Sequence, residues 1–234
     1  MWKGIKNWFS PAVPRPPKRD ARENAEVNKL PAVGWLAEAE NPWGVPVLDV
    51  RPITQTMLST SGDPQCAANA LSFRNDDGLS FASRAPKVSR ITEACLEFPT
   101  DGLVDGAVFI PRVMEEKWAI YLQAGKLLCI RSWTRTLLAT VEVEVTDSVA
   151  RFGRIHGAFV DENEEPQFTI RVLDYLLRSH ALDEIFPAPL PAPPDDFSAA
   201  ALWCFAAFGR RALFAAAAAP AYRQPRPLRS GRLT

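Results

Sequence analysis

An arginine between two tryptophans is the sharpest chemical feature of this chain. In the segment MEEKWAIYLQAGKLLCIRSWT, Arg131 follows an apolar run, with Trp133 two residues on and Trp118 and Glu116 on the preceding stretch. A guanidinium beside indole rings stacks on them, pairs with a carboxylate or receives an anion. Glu116 is the leading internal carboxylate, so Glu116, Trp118, Arg131 and Trp133 form one candidate binding group. A second group is more dispersed: Arg51, the hydroxyl run Ser59-Thr60-Ser61 and the pair Glu142 and Glu144. Read structurally, the hydroxyls finish a turn before a helix and the glutamates face solvent from a strand. The two histidines, His156 and His180, belong to no H-E-x-x-H motif, and the four cysteines form no C-x-x-C pair, so no metal site is signalled. His180, near the end of an expected helix, reads as a partner for the helix dipole. No Walker loop, G-x-S-x-G elbow or G-x-G-x-x-G turn is present.

The series Arg51, Ser59-Thr60-Ser61 and Glu142-Val143-Glu144 resembles the arginine, Ser-Thr-Ser and Glu-x-Glu motifs of mono-ADP-ribosyltransferases. That resemblance implies that Arg51 and Ser59 hold NAD and that Glu144 supports attack on its ribose. The first interval is shorter and the last longer than in that family. KWAIY followed by IRSWT resembles small bacterial domains of uncharacterised activity with a KWxIY…RSWT pattern, and this likeness implies no reaction.

These residues are positioned by a three-stranded antiparallel meander over about residues 115–145. A two-residue turn at Ala124-Gly125 places Gln123 opposite Lys126, Leu122 opposite Leu127, Ile120 opposite Cys129 and Trp118 opposite Arg131. A three-residue turn at Thr134-Arg135-Thr136 then places Cys129 opposite Val141 and Leu127 opposite Val143. Val141, Val143 and Val145 share the core face with Arg131, while Glu142 and Glu144 point away. Upstream, Val45–Val50 reads as a strand, and Asp63 with Pro64 caps a helix over Gln65–Phe73 that turns Cys66, Ala67, Ala70 and Leu71 inward. Ile91–Phe98 and Leu103–Ile110 read as strands. Pro166 opens a helix over Gln167–Ser179 with an apolar stripe of Val172, Leu173, Leu176, Leu177 and His180. The expected class is α+β, an antiparallel sheet packed against helices with proline-flanked terminal arms.

The formal net charge of zero is a cancellation between regions. Residues 1–22 hold six Lys/Arg against one acid, residues 197–234 hold six Arg and no acid, and the remainder is net −11. Composition divides the chain into a basic, amphipathic and proline-rich arm over 1–29, a core domain over 30–186, a proline-rich spacer over 187–196, and an alanine-rich helix with an arginine-rich tail over 197–234. The helix is expected to run to Pro220, and its central Arg210 and Arg211 argue against a membrane span. The tail beyond it reads as disordered when alone. No secretory signal is read in the first residues, which with unpaired cysteines suggests the cytoplasm.

Trp2, Trp8 and Phe9 in the first arm and Trp203 and Phe208 in the last are of types enriched at interfaces. The leading expectation is a noncatalytic protein-binding or accessory domain that engages a partner protein through its arms. It requires no cofactor and no metal and leaves the oligomeric state open. The alternatives are an NAD-using ADP-ribosyltransferase-like enzyme, and basic arms on anionic lipid or nucleic acid, the latter without any base-reading motif.

Overall fold

The structure, a computed structural model, describes residues 32–229. Trp2, Trp8 and Phe9 lie outside the described residues. The fold is α+β, built on one six-stranded antiparallel sheet and one smaller mixed sheet. The large sheet contains β3 (Ile91–Pro99), β4 (Gly106–Phe109), β5 (Trp118–Gln123), β6 (Lys126–Arg131), β7 (Thr136–Val145) and β8 (Val149–Gly157), in the order β3-β8-β7-β6-β5-β4. The small sheet has β1 (Gly34–Leu36) at one edge, then β2 (Val47–Asp49), β10 (Phe214–Ala216) and β9 (Ala188–Pro189).

The β5–β6 hairpin has the expected register at all four pairs, from Gln123–Lys126 to Trp118–Arg131. Ala124 and Gly125 both adopt positive φ, 49° and 72°. This is the primed turn whose twist matches the flanking strands. The next register differs from expectation: Leu127 pairs with Val141 and Cys129 with Ala139. Here the connection takes four residues, Ser132–Arg135, and a bulge follows in β7 beside Leu138. Because the displacement is an even number of residues, Val141 and Val143 stay on the core face. Val145 lies past the core and is exposed.

Two apolar layers cover this sheet. One face, carrying Trp118, Ile120, Leu127, Cys129, Val141 and Phe152, packs against α4 (Pro166–Leu176), α5 (Phe197–Phe208) and the small sheet. On the other face, Ala119, Tyr121, Leu128 and Ile130 lie beneath Phe73 and Phe81. Those two rings come from the segment that follows the short α1 (Arg51–Thr54) and holds α2 (Pro64–Ser72) and α3 (Leu79–Ala82). Asp63 caps α2 by accepting from the Gln65 backbone N–H, but Leu71 points outward. α4 buries its whole expected stripe and continues as a π-turn over Leu177–Ala181.

The C-terminal region departs most from the composition-based reading. α5 stops at Phe208, and Phe214–Ala216 of the alanine-rich run forms a strand between β2 and β9. Tertiary pairing overrides alanine's helix propensity there. Ala200, Ala201, Cys204, Phe208 and Ala215 join the same hydrophobic cluster as Val47 and Trp118. The tail is also tied down: the Leu228 N–H donates to the Pro99 carbonyl at 2.7 Å, and Arg229 pairs with Asp101 at 2.6 Å. One of its basic groups thus meets the acidic body within the chain. Among the described residues, no helix is long and apolar enough to cross a membrane.

Candidate functional site

The open end of the β5–β6 hairpin gathers most of the candidate residues. Pairing across the hairpin sends Trp118 and Arg131 to the core face, where α5 ends. Helix C-termini leave carbonyls without intrahelical donors and carry partial negative charge. Arg131 donates to two of them: Nη1 reaches the Ala207 carbonyl at 2.7 Å, and Nη2 bonds that of Ala206. The Trp118 indole N–H donates to the same Ala207 oxygen at 3.0 Å, and the guanidinium lies 5.7 Å from the Trp118 ring centroid. Arg131 is therefore satisfied by a helix terminus. Desolvation pushes its pKa down to about 10.

The expected partnership of Arg131 with Glu116 does not form. Glu116 accepts from the Arg112 backbone N–H at 2.6 Å and lies 3.5 Å from the Arg112 guanidinium and 3.6 Å from that of Arg211. Its backbone forms a bridge with Gly209, just past α5. Trp133 has a third role, donating its indole N–H to the Met114 carbonyl at 2.7 Å. The four residues are neighbours at the open end of the hairpin: Trp118 and Arg131 share the Ala207 carbonyl, whereas Glu116 and Trp133 have partners of their own.

Lys117, which was not singled out in the sequence, is the most perturbed group at this end. It is buried, yet its Nζ lies 2.6 Å from Ser59 Oγ, 3.1 Å from the Met114 carbonyl and 3.8 Å from the Trp133 ring centroid. The Phe205 ring lies on the same amine at 4.9 Å. Desolvation, aided by the Arg131 charge, pushes the amine down to about 7, against the opposing pull of Glu115 and Cys66. Its sequence signal is parity: Lys117 shares strand parity with Ala119 and Tyr121, an apolar face rather than a solvated one.

Lys117 therefore makes stability depend on pH. A base whose pKa is lower folded than unfolded binds more protons in the unfolded chain, so its penalty shrinks as pH rises from about 7 towards 10.5. Attraction to the rings, up to about 2 kcal/mol, offsets part of that penalty. Between about pH 6 and 9 the wild type should gain about 2–3 kcal/mol relative to Lys117→Met. Urea midpoints at both pH values test this, and parallel curves for the two proteins would refute it.

The remaining candidates are scattered. Arg51 is exposed, forks onto Asp49 at 2.9 and 2.7 Å and lies over Phe214. Ser59 sits beside Lys117, whereas Glu144 is exposed near the far end of β7, two residues beyond the Lys126–Glu142 pair. Along the strands this separates Ser59 from Glu144 by roughly 25 Å, so these two side chains do not meet. His156 faces Glu142 at 3.2 Å on the outer face. His180 is buried between Phe109 and Tyr175, and desolvation holds its pKa well below the usual value. It is consequently neutral and does not complement the helix dipole by charge. Among the described residues, no three His, Cys, Asp or Glu side chains cluster as metal ligands.

Of the expected partner-binding residues, Phe208 is fully buried, and Trp203 packs between Phe168 and Phe208. The exposed aromatic pair lies elsewhere. Trp35 on β1 and Phe197 at the start of α5 meet edge to face at 6.0 Å and are 36% and 38% exposed. No family model, curated protein or solved structure matches this chain.

Proposed function

We propose that this chain is a protein-binding accessory domain that receives an extended, basic segment of a partner protein along β1. The exposed pair formed by Trp35, on an edge strand, and Phe197, at the start of α5, carries this reading. Edge strands present unpaired backbone groups to another chain, and flanking aromatics supply the apolar anchor that hydrogen bonds alone lack. Exposed Glu38 and Glu40 follow β1 directly and favour a basic partner over an acidic one. A cytoplasmic setting suits the four free cysteines, of which Cys95 is exposed. The expected anchors Trp2, Trp8 and Phe9 precede β1 in sequence, outside the described residues.

A photo-crosslinking residue in place of Ala37, exposed just past β1, tests the reading in cells. The expected product is one partner crosslinked through a basic segment. Binding of that segment should weaken by at least about 10-fold in the Trp35→Ala, Phe197→Ala double variant. Crosslinking no greater than from the exposed position of Leu79 would count against the site.

A further inference from the structure

Going beyond partner binding, the geometry points to Ser59 as a nucleophile that accepts an acyl group, with Lys117 as the base that takes its proton. A nucleophilic hydroxyl needs a base within hydrogen-bond reach and a third group that orients the base. Ser59 Oγ and Lys117 Nζ are 2.6 Å apart, and the Met114 carbonyl, 3.1 Å from Nζ, is the orienting group. That carbonyl is itself held by the Trp133 indole N–H. On the hydroxyl side, the Ser59 backbone N–H donates to Glu115 Oε1 at 2.8 Å, which anchors the loop.

The pair is asymmetric in the way acyl transfer requires. Lys117 is buried behind Ser59, whereas Ser59 is half-buried at a surface where Thr60, Ser61 and Gly62 are exposed and Leu58 is 77% exposed. An acyl donor approaches from the loop side, with Leu58 available for its apolar part. The charges facing the amine come from three elements: Arg131 on β6 lowers its pKa, while Glu115 before β5 and Cys66 on α2 raise it. With desolvation the balance sits at about 7, so near pH 8 most of the amine carries a free lone pair.

The acyl donor is an activated ester or thioester. Ser59 Oγ adds to its acyl carbon while the hydroxyl proton passes to Lys117 Nζ. The bond from that carbon to the leaving oxygen or sulfur then breaks with its electron pair, and the proton moves from Nζ to the leaving group. The products are an O-acyl serine at position 59, an alcohol or thiol, and neutral Lys117.

The full-length protein mixed with p-nitrophenyl acetate at about pH 8 provides the test. One equivalent of nitrophenolate should appear in a burst, with the acetyl group on the peptide containing Ser59, and Ser59→Ala should abolish that adduct. Lys117→Arg keeps a cation but supplies no base, and should slow acylation by about 100-fold or more at unchanged circular dichroism. In the wild type, the burst rate should rise through a pKa of about 7, a measurement that depends on no variant folding. Acetylation of Lys117 without Ser59, a folded Lys117→Arg protein acylating at the parental rate, or a rate independent of pH would each overturn the assignment.

Discussion

Gly209→Ala should remove at least about 4 kcal/mol of stability, most of the margin of a marginally stable domain. Gly209 has φ 71° and ψ −153°, a region of backbone space that only glycine enters readily. Alanine there would cost about 1–3 kcal/mol from strain alone. The added Cβ would also lie 1.7 Å from the Glu115 carbonyl oxygen and 2.9 Å from its carbon. That carbonyl is not free to retreat, because it accepts the Arg210 N–H at 3.0 Å beside the Glu116–Gly209 bridge. Relief therefore requires moving the end of α5 away from the hairpin, off Arg131 and Trp118. Equilibrium urea denaturation measures the loss, and a variant within about 1 kcal/mol of the parent would show that this junction yields easily.

The second large effect is at Arg131 itself. Arg131→Met keeps much of the side-chain volume but removes the donors to Ala206 and Ala207. The Ala207 oxygen retains the Trp118 indole, whereas Ala206 loses the guanidinium. Hydrogen bonds to a charged donor contribute about 1.5–3 kcal/mol each, and a cation at a partly buried helix C-terminus up to about 2 kcal/mol. The desolvation cost that lowers the Arg131 pKa is relieved in the variant and works the other way. The expected net loss is about 2–4 kcal/mol by urea denaturation. Arg131→Lys should recover part of it, since an ammonium reaches the carbonyls without the fork geometry. If the methionine variant melts with the parent, the helix end is adequately capped by Trp118 alone.

Both effects concern one junction, and it was only half legible beforehand. The placement of Arg131 beside Trp118 follows from a two-residue turn and strict alternation, information contained within about fifteen consecutive residues. Its acceptors do not follow. They are backbone carbonyls 75 and 76 residues away, and any residue type could supply them. A carboxylate was the natural expectation because only side chains announce themselves in a sequence. Lys117 is hard to read from sequence for a related reason: lysine reads as the polar flank of a strand, and its burial depends on Ser59, Trp133 and Phe205 arriving from elsewhere.

The same division runs through the fold. The Asp63 cap, the α4 stripe and the core face of the meander were determined by the sequence alone, since each depends on spacings of two to four residues. β8 is not legible in the sequence, because Gly153 and a register shift interrupt its alternation; pairing with β3 and β7 makes it a strand. β10 lies in a run whose local preference is helical, and two neighbouring strands overrule it. Tertiary structure alone decided that the C-terminal segment belongs to the core, that Arg131 caps a helix and that a lysine meets Ser59. In each case the deciding partner is a backbone group or ring distant in the chain, and the free energy of burying the two together exceeds what either segment prefers by itself.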